Sequence, residues 1–93
     1  MIDTLKFPMG QVVATPAALE AIQQAGQTAA EFLRRHAAAD WGDVCTEDWN
    51  ANNQSLHDGD RLLSAYTLNS GKIIWVITEW DRSVTTILLP GDY

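Results

Sequence analysis

The sequence predicts an α+β domain: two or three short N-terminal helices packed on a three- to four-stranded antiparallel β-meander. Three observations carry that expectation. Helix-start signals recur before residue 60, β-branched and aromatic runs fill the chain after it, and no linker or repeat separates the two textures. A chain of 93 residues, 46% hydrophobic and 19% charged, has the composition of one ordinary globular domain. Residues 1–93 therefore read as a single unit, 1–60 mainly helical and 61–93 a meander. A domain this small buries only about 60% of its unfolded surface, so local devices carry much of its stability.

Thr15-Pro16-Ala17-Ala18 reads as an N-cap followed by proline at the first helical position, where its missing N–H is harmless. The helix it opens carries Leu19, Ile22 and Ala25 at helical spacing and stops at Gly26. Thr28-Ala29-Ala30-Glu31 fits a capping box, opening a second helix with Phe32, Leu33 and His36 that ends about Ala39. Thr46, followed by Glu47 and Asp48 where a helix dipole favours acids, opens a third that runs to about His57 and closes at Asp58-Gly59. Its asparagines make it a weak helix former. Arg61–Leu68, Lys72–Trp80 and Ser83–Leu89 then read as strands joined by the short turns Asn69-Ser70-Gly71 and Asp81-Arg82. Gln11–Ala14 is a candidate fourth strand. The central strand, Ile73 to Ile77, is apolar on both faces, and Trp75 is expected in the core. Helices cover one face of such a sheet, so the other face calls for a partner or a second copy.

Twelve acids against six bases leave a net charge of −6 and a pI near 4.5. Affinity for nucleic acid comes largely from Lys and Arg displacing counterions, so direct binding to DNA, RNA or an anionic membrane is disfavoured. The expected partner is a protein with a basic surface, with homo-oligomerisation through the sheet as the alternative. Arg34 and Arg35 on the second of two helices around Gly26 fall short of a helix-turn-helix reader. No run approaches the length of a membrane span. Met1–Lys6 lacks the pattern of a secretory signal, so a cytoplasmic location is expected.

The acids concentrate between residues 36 and 60, where Asp40, Asp43, Glu47, Asp48, Asp58 and Asp60 meet no Lys or Arg. Two readings stand. They form a contact surface in which carboxylates imitate phosphates, or they are helix caps and solvated turns. Trp41 and Trp49, in the same stretch, are either interface anchors or lids on a small core. The lone Cys45 excludes an internal disulfide, and with His36 or His57 it would make a nucleophilic pair for a small hydrolase or transferase. No thiol-enzyme motif surrounds it, so no catalytic residue is assigned. The spacing of Cys45 from the histidines fits no zinc pattern, and the acids fit no calcium loop, so no metal or cofactor is expected. Glu79, Asp81, Arg82 and Ser83 offer an anion clamp with a base or, alternatively, a charged turn.

The strings Gly10-Gln11-Val12-Val13-Ala14-Thr15-Pro16, Phe32-Leu33-x-Arg35-His36, Asp40-Trp41-Gly42-Asp43, Arg61–Tyr66, Trp75–Glu79 and Leu88-Leu89-Pro90-x-x-Tyr93 resemble a family of short bacterial "plasmid-related" proteins carried on mobile elements. The likeness runs along nearly the whole chain. It implies a plasmid or integrated-element setting and supplies no fold, activity or site residue. Trp80 departs from the small residue the family tends to have before Asp-Arg-Ser. Setting and charge together lead to the expectation of an acidic inhibitor of a nucleic-acid-handling defence complex, of anti-restriction or anti-CRISPR type. A homo-oligomer serving element maintenance is the alternative.

Overall fold

The computed structural model describes residues 5–93; residues 1–4, part of the stretch read as lacking a signal, lie outside the described residues. Strand β1 (Gln11–Ala14) comes first, then α1 (Pro16–Gln24), α2 (Ala29–Ala37) and α3 (Thr46–Asp58). Strands β2 (Leu62–Thr67), β3 (Ile73–Thr78) and β4 (Val84–Leu88) follow, and a 3-10 turn spans Pro90–Asp92. The expected caps act at both first helices. Thr15 Oγ1 accepts the Ala18 N–H at 3.2 Å and Thr28 Oγ1 the Glu31 N–H at 3.4 Å. The capping box at Thr28 is only half closed, because the Glu31 carboxylate accepts from the Gln27 side chain instead. At α3 the N-cap is Cys45 rather than Thr46 and gives no side-chain bond. Glu47 and Asp48 occupy the first turn, as the dipole favours.

Strands β2, β3 and β4 form the antiparallel meander with β3 central. The expectation of a wholly antiparallel sheet is corrected by β1, which pairs parallel to β4 and makes the order β1-β4-β3-β2. The helices lie between β1 and the meander rather than ahead of the whole sheet. Short turns oblige β2, β3 and β4 to reverse direction, whereas β1 is separated from β4 by the entire helical half and no local turn sets its sense. Its register begins where Gln11 N–H donates to the Ser83 carbonyl at 3.0 Å. Gly10, at φ 65°, sits so close to the Ser83 backbone that a Cβ there would collide with it.

One sheet face carries Leu62, Ser64, Tyr66, Ile74, Val76, Thr78, Thr85 and Ile87, all buried under the helices. Ala18, Ala21, Ile22 and Phe32 pack on its Tyr66–Ile87 part, while Phe7, Trp41 and Leu62 form a second cluster closed by Trp49 and Leu56. The opposite face carries Leu63, Ala65, Ile73, Trp75, Ile77 and Leu88; among the described residues none of α1–α3 covers it, though Ile77 and Leu88 are buried there. Trp75, expected in the core, lies here half-buried, its ring edge against Tyr93 at 5.9 Å. Arg61 donates to the Tyr93 hydroxyl at 2.6 Å and holds that ring over the sheet. Ile73 is left 46% exposed.

Candidate functional site

The acids of the 40–60 stretch separate into two groups. Asp40 accepts from Arg35 Nε at 2.8 Å and from the Gly42 N–H at 3.1 Å, and its own carbonyl accepts the Tyr66 hydroxyl at 2.7 Å. The Arg35 guanidinium beside it holds the Asp40 carboxyl below the usual range. Burial pushes the Tyr66 phenol up, so it remains a donor to that carbonyl. Asp43 accepts both the N–H and the hydroxyl of Thr67, at 3.0 and 2.9 Å. These two aspartates therefore fasten a loop to the sheet. Trp41, an expected interface anchor, has no exposed surface in this fold; its indole stacks near Phe7 and meets His36 edge-on, and its N–H donates to Asn53. Trp49 is half-buried against the same cluster.

Glu47, Asp48, Asp58 and Asp60 remain exposed. Gln54 donates to Asp58 at 3.1 Å along the helix. Among the described residues the one ion pair is Arg35–Asp40, and none of these four carboxylates is paired with a described cation. They lie along α3 and its exit, beside the exposed amides Asn50, Asn53 and Gln54. At 1.5 Å of rise per residue, Asp48 and Asp58 stand about 15 Å apart. The resulting strip is acidic, amide-rich and free of lysine and arginine.

The strip is mounted on the sheet by contacts that the sequence did not announce. Asn52 reaches from α3 to Leu63, its amide donating to the carbonyl at 2.7 Å and its oxygen accepting the N–H at 3.2 Å. The Trp41 carbonyl and Asp43 N–H do the same for Ala65, at 3.1 and 2.7 Å. With Thr67 N–H on Asp43, the free edge of β2 is bonded by its own chain. Gly42, at φ 75°, makes this possible, since a Cβ there would strike the Ala65 carbonyl and the Tyr66 ring.

Arg82, considered as an anion clamp, instead holds the end of α3. Its guanidinium donates to the carbonyls of Ser55 (3.0 Å), Asp60 (2.6 Å) and Glu79 (3.2 Å) and lies over the Phe7 ring. Those are helix-end and turn carbonyls, two of which also accept a backbone N–H, Ser55 from Gly59 and Glu79 from Arg82, both at 2.9 Å. Asp81 caps its own turn, accepting the Ser83 N–H at 3.0 Å and hydroxyl at 2.6 Å. The turn reading therefore describes this cluster.

His36 does not meet Cys45. Cys45 is exposed, whereas His36 is fully buried and has both ring nitrogens engaged, Nδ1 with Ser64 Oγ at 2.6 Å and Nε2 with Thr78 Oγ1 at 2.8 Å. The chain continues through Thr85 Oγ1 at 2.8 Å to the Met9 carbonyl at 2.7 Å. That carbonyl fixes the protons as far as the imidazole. It can only accept, so Thr85 donates to it and accepts from Thr78, and Thr78 accepts from Nε2–H. Burial, aided by the charge of Arg82, lowers the imidazole pKa to about 4, so at neutral pH it is the Nε2–H tautomer and its bare Nδ1 accepts from Ser64. His57 lies at the far end of α3 from Cys45, about 18 Å along the axis. Neither histidine makes the expected pair. The sequence offered His36 and Arg82 for other roles, and nothing in it distinguished Asn52, Ser64, Thr78 or Thr85 from ordinary polar residues.

Comparison with family models, with curated proteins and with solved structures returned no match.

Proposed function

We propose that the chain is a non-catalytic binding module whose acidic strip, Glu47, Asp48 and Asp58 on α3 with Asp60 beyond it, engages the basic surface of a host protein. The observation that carries this reading is the set of four exposed carboxylates, paired with no cation among the described residues, on a helix and its exit fixed to the sheet through Asn52 and Arg82. A rigid mount keeps the charges in place, so little order must be gained on binding. Carboxylates so placed compete with phosphates for a basic groove and accelerate encounter by steering. The resemblance to proteins of mobile elements supports a nucleic-acid-handling defence complex, of restriction or CRISPR type, as the target. Asp40, Asp43 and Trp41 leave the contact set because they are occupied within the fold, while half-buried Trp49 borders it.

The test is capture from host lysate by the tagged protein and by its Glu47→Lys/Asp48→Lys/Asp58→Lys variant, each eluted with a salt gradient. A basic partner that leaves the wild type at moderate salt and is not retained by the folded variant supports the reading. A partner held equally by both, at every salt concentration, overturns it.

A further inference from the structure

The two edges of the sheet are treated differently. At β2 every outward backbone group of Leu63 and Ala65, and the N–H of Thr67, is bonded by the loop at Trp41–Asp43 or by Asn52. At β1 the outward groups have no such cover. Gln11 and Thr15 direct their N–H groups inward to the Ser83 and Ile87 carbonyls of β4, so the N–H and C=O of Val12 and Ala14 point away from the sheet. Among the described residues no group bonds them there. The strand Gln-Val-Val-Ala carries no charge, proline or bulge, the usual guards of an edge, and Val12 and Val13 are 42% and 39% exposed.

We infer that β1 is a self-pairing edge through which two copies of this chain join their sheets, antiparallel, about a two-fold axis at Val13. With Val13 opposite Val13 of the second copy, Val12 of each chain faces Ala14 of the other. Each such pair exchanges two N–H···O bonds, so all four outward groups on each strand are satisfied with no remainder. Gly10, at positive φ, and Thr15-Pro16, where α1 begins, end the strand on both sides of this register.

Charge favours a second copy over a basic partner at this place. The strand is neutral, and Asp92 beside its end is engaged by Thr15 Oγ1 and the Leu89 N–H. The acidic helix α3 packs against β2, the opposite edge. Seven interstrand spacings would put the two β2 strands about 34 Å apart, several times the ~8 Å screening length at physiological salt. Two copies, each of net charge −6, thus meet where repulsion is weakest, and the dimer shows an acidic strip at each end. The inference stands apart from the binding reading above, since it uses neither the strip nor its partner.

The test is sedimentation of the purified protein across a wide range of concentration, with Val12→Pro and Val13→Asp variants alongside. Proline at 12 removes an N–H that the monomer's ladder does not use, and aspartate at 13 sets like charges face to face. The expected result is a wild-type mass that rises toward twice that of one chain, with both variants monomeric and circular dichroism unchanged. If Val12→Pro fails to fold, Val13→Asp alone decides. A wild type that remains monomeric throughout, or a dimer undiminished by the folded variants, overturns the inference.

Discussion

Protonating His36 is expected to weaken the whole domain, because its relay ties α2 to three strands and to the segment at Met9. A proton on Nδ1 would face the Ser64 hydroxyl hydrogen. Ser64 would have to rotate, leaving that hydrogen without an acceptor in a fully buried site. The imidazole titrates near 4 in the folded protein and near its ordinary 6.5 when unfolded. Between those values the unfolded chain binds the extra proton, so stability is complete above about 6.5, falls as the pH falls, and levels off below about 4. At 1.36 kcal/mol per unit the loss is about 3 kcal/mol, a large part of what a domain this size possesses. Asp40, whose pKa is lowered, loses its ion pair only below the ordinary carboxylate range and so lies outside this window. Urea unfolding followed by tryptophan fluorescence at a series of pH values reads the slope directly. His36→Gln, which keeps an acceptor and a donor but cannot titrate, should be less stable at neutral pH and nearly flat between pH 4 and 6.5. A wild type equally stable at pH 7 and pH 4.5, or a variant with the same slope, would refute the reasoning.

Two further substitutions probe the mounting of α3. Asn52→Asp keeps the acceptor for the Leu63 N–H but sets an oxygen against the Leu63 carbonyl. It should therefore lose at least as much stability as Asn52→Ala, about 2 kcal/mol by denaturant unfolding, and either change should raise aggregation by baring the β2 edge. Arg82→Met removes the guanidinium both from the three carbonyls and from over the Phe7 ring while keeping a side chain of similar length. Faster amide exchange confined to the last turn of α3, with a loss of about 2 kcal/mol, is expected; unchanged exchange there would refute the clamp.

Local chemistry was legible wherever a few adjacent residues decide it. Thr15-Pro16, Thr28 and Gly59 marked helix ends correctly because capping bonds span only three or four residues. The two hairpins followed for the same reason, their turns being shorter than any alternative connection. The site was less legible. All eight residues singled out lie together in the chain, yet Trp41 is buried and Asp40 and Asp43 are tied into the loop's own hydrogen bonds, while Glu47, Asp48, Asp58 and Asp60 lie exposed along α3 and its exit. An aspartate in a loop and one on a helix surface look alike until the strand that accepts the loop is in place.

The sequence by itself determined the α+β class, two helices with a candidate third, the meander and the acidic character, since propensity, capping and net charge are properties of short stretches or of composition. Only the tertiary structure decided that β1 runs parallel to β4, that Asn52 and the loop at Trp41–Asp43 close one sheet edge while the other has no partner among the described residues, and that His36 anchors a proton-ordered relay rather than serving Cys45. Each of these joins residues far apart in the chain. Their geometry depends on how the helical half returns to the sheet, and that path is set by the burial of Phe32, Trp41 and Tyr66 together rather than by any one segment.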